Sequence, residues 1–156
     1  MVSPGNPLKK AAGMAPFGAR LASARKIADG RRIIATDIER RLGTYYTADT
    51  MRALKQKFPR TKFIWLMGAD NLAQLPKWGH WRNIIHAMPM LVVPRPGETR
   101  RALAGCAAAR YRRNRLPARA GLKLATAKPP AWILLPVREN AASATELRKK
   151  SEGALS

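Results

Sequence analysis

A chain of 156 residues with 30 lysines and arginines, 9 acidic residues, a net charge of +21 and 46% hydrophobic residues has the size and apolar content of one compact domain, here taken as residues 1–156. Its 12 prolines and 11 glycines are scattered, which excludes collagen-like order and wholesale disorder. The longest apolar runs, residues 88–94 and 131–136, are too short to span a bilayer, residues 1–10 lack the apolar stretch of a secretion signal, and one cysteine with two histidines gives neither a disulfide framework nor a zinc set, so a cytoplasmic location is expected.

In chain order, Phe17, Leu21, Ala24 and Ala28 recur at helical spacing after Pro16 and predict an amphipathic helix. Residues 32–36 read as a short β-branched strand. Helical spacing resumes over 47–58 through Met51, Leu54 and Phe58, with Thr47 as N-cap, Asp49 in the first turn and Pro59 as the stop. Residues 62–67 (KFIWLM) form a nearly continuous apolar run ending at Gly68, as expected of a strand buried on both faces of a parallel sheet, and the loop after it is where chemistry should lie. A helix over 81–87, a strand over 90–93, an Ala-rich helix over 99–111 and a last strand over 131–135 follow. Cys106, inside the Ala-rich helix, reads as a small buried hydrophobe. Ser143 and Glu146 have the capping-box spacing and open a closing helix over 143–150. Alternation of this kind predicts an α/β fold, a parallel sheet with helices on both faces and ligands at the carboxyl ends of the strands.

The charge is unevenly placed. Between Glu98 and Glu139 there is no acidic residue, while Arg100, Arg101, Arg110, Arg112, Arg113, Arg115, Arg119, Lys123, Lys128 and Arg138 are basic. Such a field attracts polyanions without reading sequence. Tyr111 and, near its end, Trp132 are its only aromatic residues, too few for the aromatic platform of a single-strand binder, and a solvated basic face is the favoured reading.

Four stretches fall at strand ends or helix starts: SPGNPLK over 3–9, YTADT over 46–50, GADNLAQLPKW over 68–78 and SATELR over 143–148. Each alone is explained by a turn, a cap or a hydrophobic anchor. In this order, with Glu39, the Trp78 and Trp81 pair and VVPRPG at 92–97, they resemble the bacterial nicotinate mononucleotide adenylyltransferases, which join ATP to nicotinate mononucleotide and release pyrophosphate. The resemblance runs over nearly the whole chain and implies a Rossmann-like nucleotidyltransferase fold acting in NAD biosynthesis. It also implies an ATP phosphate site at Ser143, Thr145 and Arg148, where helix N–H groups, hydroxyls and a guanidinium would meet an anion. Ala144 stands where many relatives have a second serine. Gly68 and Asp70 would approach a nucleotide ribose, with glycine admitting the ligand and the carboxylate accepting two hydroxyls. Trp78 would stack on the pyridine ring, Thr47 and its backbone neighbours would read the nicotinate carboxylate at a helix start suited to an acid, and Lys9 would lie near the phosphates. Mg²⁺ is expected with ATP.

The family's HxGH pattern is absent from these residues. His80 precedes Trp81 and Arg82, and His86 precedes Ala87 and Met88. The in-line transfer depends on positioning and charge neutralisation, so no catalytic residue is assigned, and poor nucleotide binding with negligible turnover is expected. Met1 then falls inside the family's second strand, with the first strand and its phosphate loop missing, through a late gene start or, less favoured, a degraded copy. In the order 3-2-1-4-5 that first strand is central, and each backbone group left dry beside it costs roughly 1 to 3 kcal/mol. Two alternatives stand: a pantetheine-phosphate-type adenylyltransferase, against which YTADT and Trp78 argue, and a basic nucleic-acid-binding remnant, which a salt titration discriminates.

Overall fold

The computed structural model describes residues 1–5 and 14–139, which form two compact units, residues 1–62 with 78–87 and residues 63–77 with 88 onward. Lys9, Ser143, Thr145, Arg148 and the expected helix over 143–150 lie outside the described residues.

The first unit is helical: α1 (Phe17–Ile27), α2 (Ile38–Arg41), α3 (Thr47–Lys57) and α5 (Trp81–Ala87), α4 belonging to the second. α1 presents Leu21 as its buried residue. α3 packs on α5, Met51 being buried on one and Ile84 and Ile85 on the other. Lys55 Nζ donates to the Ala87 carbonyl (3.0 Å), a cation at the negative end of α5.

Residues 32–36 are not a strand. Asp29 Oδ1 instead accepts the N–H groups of Arg31, Arg32 and Ile33 at 2.9, 2.8 and 2.8 Å, and Gly30, at φ 70, donates to the Ile33 carbonyl. A side-chain acceptor has outcompeted a ladder for these donors. Beyond the turn, Thr36 accepts one backbone bond, from Val2 (2.8 Å). The bond from Ile33, then that from Arg31, holds the Asp29 carboxyl below its ordinary 3.8. A carboxyl lowered by folding stabilises the fold above its unfolded pKa and loses that contribution as pH falls through its folded one. The 29–33 turn should therefore be intact at pH 5 and loosen below 3.8. Amide exchange at Arg31, Arg32 and Ile33 followed from pH 5 downward measures this; protection that does not change with pH would refute the carboxylate's role.

The second unit contains β1 (Trp65–Gly68), α4 (Ala69–Gln74), β2 (Met90–Val93), α6 (Thr99–Ala104), α7 (Cys106–Arg110) and β3 (Trp132–Leu134), with short 3-10 segments at Leu75–Lys77, Arg112–Asn114 and Ala118–Thr126. Among the described residues the strands form one parallel sheet in the order β1-β2-β3, in which Leu66 pairs with Leu91 and Leu91 with Ile133. Helical segments cover both faces of it. Leu91 and Ile133 pack against Leu116, Ala120, Leu124 and Ala127 on one side, and on the other Trp132 reaches the end of α7, its indole N–H donating to the Tyr111 carbonyl (2.9 Å). A parallel sheet so covered is a Rossmann-like arrangement.

Three expectations are corrected. β1 is not buried on both faces: Leu66 is 62% exposed, because the segment covering Leu91 and Ile133 stops short of this edge strand. The Ala-rich helix is two helices broken at Gly105, whose extended backbone (φ −74°, ψ 161°) caps α7 and where a Cβ would be tight, 3.2 Å from the Ala102 carbonyl oxygen. Cys106 is therefore the first residue of a new helix and is exposed, not buried.

Candidate active site

Two groups of candidate residues are in place, one in each unit. At the carboxyl ends of β1 and β2, the expected loop after Gly68 is instead the start of α4, with Asp70 in its first turn. The Asp70 carboxylate folds back over Gly68, so that a Cβ there would collide with Asp70 Oδ1 and approach Arg95 Nε to 3.2 Å. Glycine here leaves room for the Asp70 carboxylate and the Arg95 guanidinium, which a Cβ would displace, and is not demanded by its backbone angles. Arg95 follows β2 and lies with its Nε 4.0 Å from Asp70 Oδ1, both side chains about half exposed. An exposed pair of this length contributes little stability and leaves both groups available to a ligand.

The Arg95 backbone is better fixed than its side chain. Its N–H donates to the Thr99 hydroxyl (3.0 Å), which donates to Glu139 Oε1 (2.7 Å). Sequence reading did not assign Arg95, although it sits in the VVPRPG stretch; the available signal was its position just past a strand of a parallel sheet, where ligands collect.

In the first unit, Thr47 is the first residue of α3 and is half-buried. It is not the N-cap: that position is Tyr46, with extended backbone, and no side chain caps the helix. The Thr50 hydroxyl returns to the Tyr46 carbonyl (3.2 Å), and Asp49 occupies the first turn. The N–H groups of Thr47 and Ala48 meet no acceptor among the described residues. An uncapped helix start of this kind offers oriented donors and the positive end of the helix dipole.

The Trp78 turn lies against this helix start. The Tyr46 ring stands 3.5 Å from where a Cβ on Gly79 would lie, so the residue after Trp78 is in contact range of the residue before Thr47. Trp81 N–H donates to the Trp78 carbonyl (3.2 Å), closing a four-residue turn in which His80 takes φ 53. Trp78 and Trp81 are both half-buried and can present ring surface. The structure thus brings Thr47 and Trp78 into one neighbourhood, and Gly68 and Asp70 into another.

Comparison with known proteins extends these observations. Residues 1–150 match the family described as cytidylyltransferase-like. The chain is 54% identical over 152 residues to a Gluconobacter oxydans (strain 621H) protein, covering 97% of this chain and 78% of that one. It is 53% identical over 148 residues to a protein of Gluconacetobacter diazotrophicus, covering 95% and 69%, and 49% identical over 150 residues to one of Parvibaculum lavamentivorans, covering 96% and 75%. Each of the three carries the name "Probable nicotinate-nucleotide adenylyltransferase".

Proposed function

The chain belongs to the cytidylyltransferase-like family, among the nicotinate-nucleotide adenylyltransferases, and on that premise we propose that it serves the transfer of AMP from ATP to nicotinate mononucleotide, giving deamido-NAD and pyrophosphate. The observation that supports this reading is the approach of the Tyr46 ring to Gly79, which brings the turn that carries Trp78 close to a helix start with no side-chain cap. A carboxylate on a flat ring is the ligand that such a pair suits. The N–H groups at Thr47 and Ala48 would take the nicotinate carboxylate, and the indole would cover the pyridine face. An amide would gain less from the dipole than an acid.

For the ATP half, Gly68 admits the ribose and Asp70 accepts its hydroxyls. Arg95, released from Asp70 by that exchange, is a cation at the mouth of the parallel strands. Lys9, Ser143, Thr145 and Arg148 are proposed as phosphate contacts on sequence grounds. Mg²⁺ fits as an ion carried by the triphosphate and water: among the described residues no group of three or more His, Cys, Asp or Glu is arranged to hold a metal. When bound, it neutralises charge on the phosphates. The setting is the cytoplasm, where these nucleotides occur, and no described helix is long and apolar enough to cross a membrane.

Toward nucleic acid only non-specific attraction is proposed. All ten basic residues between Glu98 and Glu139 are exposed, as a solvated face requires.

The test is direct. The purified 156-residue chain, given ATP, Mg²⁺ and nicotinate mononucleotide, is expected to bind the mononucleotide saturably and in preference to its amide. Because it holds no HxGH, pyrophosphate release should fall about two to three orders of magnitude below a usual turnover of roughly 10 per second. Absence of mononucleotide binding by calorimetry would remove the proposed function. Rapid pyrophosphate release would show instead that charge neutralisation resides in other residues.

A further inference from the structure

Glu39 is the one buried carboxylate among the described residues, 3% exposed on the four-residue helix α2. Taking a carboxylate out of water costs several kcal/mol unless its oxygens are matched. Here the match is partial. Oε1 accepts the Thr50 hydroxyl at 3.4 Å, and Oε2 has no hydrogen-bond partner among the described residues. An apolar side chain would fill the same space without this cost, so the packing of α2 does not account for a glutamate at this place.

Its connections all lead to one segment. The Thr50 hydroxyl is 2.8 Å from that of Thr44, and the Thr44 N–H donates to the Glu39 carbonyl at 3.1 Å. With the Thr44 O–H directed to Thr50 Oγ1, the single Thr50 hydroxyl proton is shared between Glu39 Oε1 (3.4 Å) and the Tyr46 carbonyl (3.2 Å), which joins the carboxylate to the turn itself. The backbone and side chain of Glu39 therefore hold both ends of the 44–50 segment, which contains Tyr46 and the open N–H groups of Thr47 and Ala48.

We propose that Glu39 is a positioning residue for the acceptor substrate: through Thr50 and Thr44 its buried carboxylate fixes the turn that presents the first donors of α3. The proposal rests on the mononucleotide reading above and deepens it by naming what holds that subsite in shape. Glu39 itself touches no ligand. Loosening the turn spreads the donors over several orientations, and the bound ligand must then restore the order.

The test compares Glu39→Ala, Glu39→Gln and Thr50→Val with the unaltered chain in two measurements. In calorimetry, Glu39→Ala should weaken nicotinate mononucleotide binding about tenfold while ATP binding stays within about twofold. Glu39→Gln keeps an acceptor oxygen and should recover most of the loss, whereas Thr50→Val, which removes the hydroxyl link and little volume, should reproduce it. In amide exchange without ligand, Glu39→Ala and Thr50→Val should accelerate residues 45–49 about tenfold and leave 90–93 unchanged. Unaltered mononucleotide affinity in both Glu39→Ala and Thr50→Val would overturn the proposal. So would equal loss of both ligands together with loss of protection at 90–93. If the unaltered chain binds no mononucleotide, the function fails separately, and unchanged exchange at 45–49 in the variants would then overturn the role of Glu39.

Discussion

Replacing Trp132 by alanine is expected to destabilise the second unit by about 3 to 5 kcal/mol, a large part of the 5 to 15 kcal/mol that a domain usually has. Trp132 is 2% exposed in β3 and is the largest of the fully buried side chains among the described residues. Its removal opens a cavity between the sheet and the end of α7, and the Tyr111 carbonyl loses the indole N–H that reaches it at 2.9 Å. The two losses separate by chemistry. Trp132→Phe keeps most of the apolar volume and loses the donor, and should cost about 1 to 3 kcal/mol. Urea unfolding followed by far-ultraviolet circular dichroism gives the order, with midpoints falling from the native chain through Trp132→Phe to Trp132→Ala. Coincident midpoints would mean that the β3 and α7 junction does not limit stability.

Gly68→Ala should weaken ATP binding about ten- to a hundredfold while leaving the fold in place. The added Cβ occupies the position over which the Asp70 carboxylate folds and lies 3.2 Å from Arg95 Nε, so the acid and the guanidinium must both move. Hydrogen bonds to a charged acceptor are worth about 1.5 to 3 kcal/mol each, and displacing that acceptor forfeits one or both ribose contacts. Circular dichroism should be unchanged, because Gly68 has an ordinary φ of −78° and alanine suits the start of α4. Calorimetric titration with ATP decides. Undiminished affinity in a folded Gly68→Ala chain would move the ribose site elsewhere.

Much of the frame was legible in the sequence because its signals are local. Residues 90–93 are four consecutive apolar residues at the centre of the sheet, and the helices beginning at Thr47 and Trp81 follow their spacing. Where reading failed, a neighbour remote in sequence or a competing donor decided. The β-branched stretch after Arg32 was captured by the Asp29 carboxylate, and the exposure of Leu66 depends on how far the segment ending near Thr126 reaches across the sheet. The Ala-rich helix broke where Gly105 could extend, which turned Cys106 outward.

The same holds for the candidate site. Gly68 and Asp70 were visible as a motif, and Trp78 and Thr47 as members of two others. Arg95 acquires meaning only once β1 and β2 are known to be adjacent, since 25 residues separate it from its partner carboxylate. Glu39 was visible as a residue of the pattern, but its role required knowing that Thr44 and Thr50 meet.

The turn between Trp78 and Trp81 has a further consequence. A residue bearing a Cβ at φ 53 is wound against its own preference by roughly 1 to 2 kcal/mol, and His80 sustains that tension between two indoles. Glycine in its place would relax the backbone. His80 thus marks a point where sturdiness is surrendered in the turn that joins Trp78 to Trp81, and where a survey seeking heat-resistant variants would gain robustness.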